Sequence, residues 1–121
     1  MSYVILTTEM FDAWLHALSE AERVDVRAIV GLLEDKGFTL GYPFSSALHG
    51  SRHGHMRELR IRHRGRPIRV LYAFDPKRSA ILLLGGHKGG DDRWYERHIP
   101  IADRLYDQHL ATMNKQQGGK K

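Results

Sequence analysis

The stretch MRELRIRHRGRPIRVLYAFDPKRSAILLLGGHK, residues 56–88, decides the fold. Three apolar or alternating runs of strand length, RELRIR, IRVLYAF and AILLL, are separated by the punctuation RGRP and DPKRS, which predicts a three-stranded antiparallel meander. Successive side chains alternate across a pleated strand. Leu59 and Ile61 therefore share one face while Glu58, Arg60 and Arg62 share the other. In the next run Ile68, Val70, Tyr72 and Phe74 lie together, opposite Arg69, Leu71 and Ala73. With the hairpin closed at residues 64–67, Arg60 and Arg69 meet on one surface. Two guanidinium groups there form a phosphate clamp, because each fork of donors matches phosphate oxygens and stays protonated at physiological pH. The clamp, and any phosphate chemistry built on it, requires both groups on one face, with neither buried against an internal carboxylate; the fold does not depend on it.

Working outward, residues 3–6 (YVIL) form a short β-type run that needs the later sheet for a partner, giving about four strands. Thr7 or Thr8 offers an N-cap, and Phe11, Trp14, Leu15 and Leu18 follow helical spacing, with Trp14 read as core. Ser19 followed by Glu22 forms a capping box for a second helix, which passes through Val24, Ala28, Ile29, Leu32 and Leu33 and stops at Lys36-Gly37. The two helices make a hairpin whose apolar stripes require a sheet face. Residues 38–55 read as a long polar connection. His49, His53 and His55 within it lack a familiar ligand spacing, so no metal is assigned.

After the meander, the glycines at 85, 86, 89 and 90 permit sharp turns and close approach to a ligand. They match neither phosphate-binding fingerprint. Asp91 or Asp92 can cap a helix, and Pro100 suits the first turn of another running through Ala102, Leu105, Tyr106 and Leu110. The architecture expected is α+β: a small antiparallel sheet packed on an N-terminal helical hairpin, with a C-terminal helix. Residues 1–114 make a single domain and 115–121 a polar, disordered tail.

With 121 residues and no cysteine, the chain needs no disulfide framework and has no thiolate chemistry. No apolar run approaches the roughly 20 residues of a membrane helix, so a cytoplasmic, unexported protein is expected, with no membrane partner. The formal charge is +5, and residues 49–69 concentrate seven arginines against one glutamate, whereas residues 1–48 hold three basic and seven acidic side chains. That focusing favours a polyanionic partner, nucleic acid or an acidic protein.

The order of elements, together with ELR at 58–60, IRVLY at 68–72 and a Lys at 88 after a buried strand, resembles the RelE/HigB-like superfamily of bacterial toxins, most closely its phage-derived HigB-type branch. The resemblance spans residues 3–112. It implies the toxin of a type II toxin–antitoxin system. Such a toxin is a metal-independent mRNA endoribonuclease that acts on ribosome-bound message to inhibit translation. Its cognate antitoxin, a helix-turn-helix protein, neutralises it. Arg60, Arg69 and Lys88 then match the family's basic positions. Two departures stand out: His87-Lys88 replaces paired lysines, and only Trp94 or Tyr95 can supply the C-terminal aromatic.

Cleavage by the RNA's own 2′-hydroxyl requires a base, cations for the phosphorane charge and an acid, but no cofactor. Glu58, His87, Lys88 and Tyr95 are the candidates for base or acid, imidazole being the type best suited to neutral pH. Glu58 reads equally as a cross-strand partner of Arg60. Arg57, Arg62, Arg64 and Arg66, which read first as a solvated face, and Trp94, divided between packing and stacking, are the candidates for RNA contact. The competing reading is a toxin that acts by binding alone, as a ParE-like gyrase poison or a degenerate toxin holding antitoxin and operator. The fold hosts both, so the site must decide.

Overall fold

The structure, a computed structural model, describes residues 2–118. In chain order it contains β1 (Ile5–Thr7), α1 (Glu9–Ala17), α2 (Glu20–Lys36), a 3-10 turn (Gly37–Thr39), β2 (Ser45–Ala47), β3 (Arg57–His63), β4 (Arg66–Phe74), β5 (Ala80–His87) and α3 (Trp94–Gly118). One five-stranded sheet has the order β1-β5-β4-β3-β2. The expected meander forms its centre with antiparallel pairing, and β1 joins β5 in parallel. The extra strand is β2, drawn from the segment read as a connection and paired antiparallel to β3.

Local chemistry sets the N-terminal boundaries. The Thr8 side chain accepts from the Phe11 amide at the start of α1, and Ser19 and Glu22 form the reciprocal capping box of α2. At the other end of α2, Gly37 takes φ +54°, a conformation open to glycine. The β3–β4 hairpin turns on two residues, Arg64 and Gly65, at φ +50° and +81°. This is a type I′ geometry, whose twist matches that of the flanking strands.

Strand alternation divides the core into two. On one face Leu59, Ile61, Ile68, Val70, Tyr72 and Leu82 meet Phe11, Leu18, Val26 and Leu33 of the helical hairpin. On the other, Leu71, Ala73, Ile81, Leu83 and Leu84 meet Trp94, Ile99, Ala102 and Tyr106 of α3. The sheet is thus sandwiched between α1/α2 and α3.

Gly85 and Gly86 serve packing here. A Cβ on Gly85 would lie 2.4 Å from the Trp14 ring, and one on Gly86 2.8 Å from that of Trp94. Each glycine seats an indole, one on either face.

Trp94 through Gly118 is a single helix with Pro100 inside it, so Trp94 and Tyr95 lie on the same helix as Ala102, Leu105 and Tyr106. Residues 115–118 belong to that helix, and 119–121 lie outside the described residues.

Candidate active site

Helix α3 covers only part of its sheet face, beginning at Trp94. Beyond that indole the same face is polar and carries Glu58, Arg60, Arg62 and Arg69. Arg60 and Arg69 are directly opposed across β3 and β4. Two like charges in that position repel unless an anion accompanies them.

Glu58 is that anion. Its Oε2 accepts from the Ser46 hydroxyl at 3.0 Å and lies 3.4 Å from Arg60 Nη1; its Oε1 accepts from the Tyr95 hydroxyl at 2.5 Å and lies 3.5 Å from Arg69 Nε. Residues from β2, β3, β4 and α3 therefore converge on one buried carboxylate.

Arg69 is only 7% exposed, and that corrects the clamp as first drawn. The two guanidinium groups do share a face, but one is buried beside an internal carboxylate. Glu58 does not fully engage it: Arg69 Nη1 donates to the carbonyl of Ile68 at 3.1 Å, while Nε is buried and has no hydrogen-bond partner among the described residues. A buried, unpartnered donor costs about 1–3 kcal/mol. An additional acceptor would relieve that cost.

Tyr95 is the second unusual group. Burial raises its phenol above the ordinary value of 10.0, the hydrogen bond to Glu58 raises it further, and Arg69 opposes the shift. The hydroxyl therefore keeps its proton well into alkaline solution. Lys88, just past β5, places its ammonium 5.6 Å from the Tyr95 ring centroid.

Other candidates lie elsewhere. His87 is on the opposite face, with Nε2 2.6 Å from Glu22 of α2. The cause is a bulge in β5: register runs from Tyr72↔Leu82 to Leu71↔Leu84, leaving Leu83 extra. The added residue reverses the alternation, so Gly86 pairs with Arg69 and His87 with Ile68. Arg57 also faces away, donating from Nε to Ser45 Oγ at 3.1 Å. Trp94 is 3% exposed and stacked on His98, which makes it core rather than a free platform. Arg64 and Arg66 are exposed at the hairpin, and Arg62 is exposed beside Arg60.

The loop histidines act as ties: His53 lies 2.9 Å from Asp107 and His55 3.0 Å from the Tyr106 hydroxyl, fastening the loop to α3. Two site residues escaped the sequence reading. Ser46 lies on the short strand β2. Tyr42 packs its ring 5.5 Å from the Arg60 guanidinium. The FSSAL segment at 44–48 held a faint strand signal, but nothing local identified its partner.

Comparison with known proteins follows the same lines. The family described as phage-derived protein Gp49-like matches residues 13–107. The protein designated toxin HigB3 of Mycobacterium tuberculosis is 44% identical over 110 residues, 90% of this chain and 94% of its own. Toxin HigB2 of the same organism is 42% identical over 105 residues, 85% of this chain, and the chain spans 52% of that relative's length. In fold, the structure matches a chain of the toxin–antitoxin complex RelBE2 of M. tuberculosis with a TM-score of 0.54 at 19% identity, over 72% of this chain and 99% of that one. By sequence, the chain belongs to the phage-derived Gp49-like family, alongside relatives designated HigB toxins, and its fold is that of the RelBE2 chain.

Proposed function

We propose that this chain is the toxin of a type II toxin–antitoxin pair and a metal-independent endoribonuclease that cuts ribosome-bound messenger RNA in the cytoplasm and so inhibits translation. Burial of Arg69 beside Glu58 removes the open two-arginine clamp as its support, and the observation that carries the reading is instead the convergence of Arg60, the Tyr95 hydroxyl and the Ser46 hydroxyl on the Glu58 carboxylate.

In this reading Arg60 and Arg69, with Lys88 beyond them, neutralise the charge that develops on the phosphorane. Glu58 takes the proton of the 2′-hydroxyl as its oxygen attacks phosphorus. Tyr95, whose raised pKa keeps its proton in place, gives that proton to the departing 5′-oxygen. The hydrogen bond between them returns the proton from Glu58 to Tyr95 after each turnover. The products are a 2′,3′-cyclic phosphate and a 5′-hydroxyl. The exposed Arg62, Arg64 and Arg66 hold the RNA backbone without regard to sequence. The partner is a cognate antitoxin of the helix-turn-helix class, a reading supported by the toxin–antitoxin complex among the fold neighbours.

Burial of Arg69 beside Glu58 favours a second reading, binding without cleavage, since it leaves the charges partly satisfied at home. The test is to induce the chain without its partner and map message ends. New ends with 5′-hydroxyls and arrested growth are expected. They should fall on the order of 10²-fold with Arg60→Ala, and similarly with Arg69→Ala, if these groups hold transition-state charge. Intact transcripts accompanied by growth arrest would favour binding alone. Arg60 is the safer probe, because its side chain is 28% exposed against 9% for that of Arg69.

A further inference from the structure

A groove of about 340 Å³ runs beside the site, bounded by Tyr42, Pro43, Phe44, Arg60, Arg62 and Arg69. Its size sits at the small end of the range typical of ligand clefts, about 300–1,000 Å³. Its lining joins two chemistries. Three guanidinium groups supply positive charge, and Tyr42 supplies a ring that is 78% exposed, the largest exposure among the bulky apolar side chains of the described residues.

That ring is not a loose end. The Phe44 carbonyl accepts from the Arg60 amide at 2.8 Å, which fastens the 42–44 strip to β3. Arg60 also lies over the Tyr42 ring, 5.5 Å from guanidinium carbon to centroid. So exposed a ring cannot be covered on both faces. One face meets Arg60 and the other is open. An open aromatic face beside a cationic track is the combination that binds single-stranded nucleic acid, with bases stacking on the ring and phosphates on the charges. An acidic peptide would use the arginines alone and leave the ring idle.

We infer that Tyr42 is a nucleobase-stacking residue, and that the groove it shares with Arg60, Arg62 and Arg69 is a subsite for the nucleotide next to the bond that is cut. The inference rests on the ribonuclease reading for its substrate class, single-stranded RNA. Tyr42 touches the base, whereas the arginines touch phosphate. It therefore contributes affinity and base preference, while the arginines of the same groove carry the charge chemistry.

The probe is a short 2′-O-methyl RNA strand, which cannot be cut, and the same strand carrying abasic sites. Binding to the full chain is followed by fluorescence anisotropy. Tyr42→Ala should weaken binding of the base-bearing strand about tenfold, Tyr42→Phe should restore it, and neither should change binding of the abasic strand. Equal affinity of wild type and Tyr42→Ala for the base-bearing strand overturns the subsite, and so does an absence of binding. A loss seen with polyglutamate instead of RNA also overturns it and assigns the groove to an acidic partner. Mapping message ends decides the nuclease reading separately: Tyr42-dependent binding without cleavage leaves the subsite standing, and cleavage indifferent to Tyr42 removes it alone.

Discussion

The hydroxyl of Tyr95 donates to Glu58 across the junction of α3 and β3, 2.5 Å from oxygen to oxygen. It couples a phenol to the one carboxylate that Arg60 and Arg69 share. Removing either end should therefore disturb both the chemistry and the fold.

Tyr95→Phe deletes the proton donor and leaves Glu58 Oε1 without its hydrogen bond. Message cleavage should fall about 10²-fold or more. Stability should fall by about 1–3 kcal/mol, the cost of an unsatisfied buried acceptor, measured by urea unfolding. The phenol's raised pKa also has a pH signature. A neutral form favoured in the folded state contributes stability that is complete below pH 10.0 and is lost as pH rises through the higher folded value. Wild type should lose stability along this alkaline limb, and the Phe variant should lack that component. An identical limb in both proteins would contradict the coupling.

Gly86→Ala places a methyl 2.8 Å from the buried Trp94 ring, which is itself stacked on His98. The indole has nowhere to retreat without moving the first turn of α3. Overpacking of this kind costs about 1–3 kcal/mol, read as a drop in thermal midpoint. Because Gly86 pairs with Arg69 and Tyr95 follows Trp94, cleavage should fall with it. An unchanged midpoint would show that the seat is looser than the geometry requires.

Glu22 is held at about 2, below the ordinary 4.5, first by the Ser19 backbone amide and then by its hydrogen bond from His87. A depressed carboxyl contributes stability that is present above pH 4.5 and lost as pH falls toward 2. Glu22→Gln keeps a side chain able to accept the Ser19 amide but removes the charge. Acid titration followed by circular dichroism should therefore show a flatter limb between those values in the Gln variant. An equally steep limb in both would place the acid sensitivity elsewhere.

Arg64 occupies the first position of the type I′ turn at φ +50°, where a branched or long side chain is disfavoured and Asn is preferred. Arg64→Asn should stabilise the hairpin by about 0.5–1 kcal/mol. If Arg64 also touches phosphate, the salt dependence of RNA binding should weaken by about one unit of slope. A thermal shift assay and a salt titration read the two effects independently. A lower midpoint would contradict the turn assignment.

The opposed arginines were legible because period-2 alternation in β3 and β4 is clean: Leu59 and Ile61 against Arg60, and Val70 against Arg69. The capping box at Ser19 and Glu22 was legible for a similar reason, since its contacts span a single helical turn. The face His87 takes was not legible because it depends on a bulge at Leu83, within a run apolar on both faces where one extra residue leaves no trace in the pattern. For Trp94 the choice between packing and stacking was not legible, because its burial depends on Gly86, a side chain that is absent. Ser46 and Tyr42 belong to a strip whose partner lies in β3, and a segment of small polar residues carries no periodicity to reveal it. What a strand pairs with locally can be read; what crosses from another element to meet it cannot.

The parallel seam between β1 and β5 has a consequence for biosynthesis. Residues 5–7 must wait for residues 80–82 before they have any ladder to join, and the Thr8 hydroxyl must wait for the Leu83 carbonyl 75 positions downstream. Chains emerge from the ribosome N-terminus first. The earliest residues made are therefore among the last to dock, and a truncated product ending before residue 80 has an unzipped leading edge. A chain of this kind cannot complete its sheet until most of it has been translated, so release from the ribosome and closure of the sheet nearly coincide.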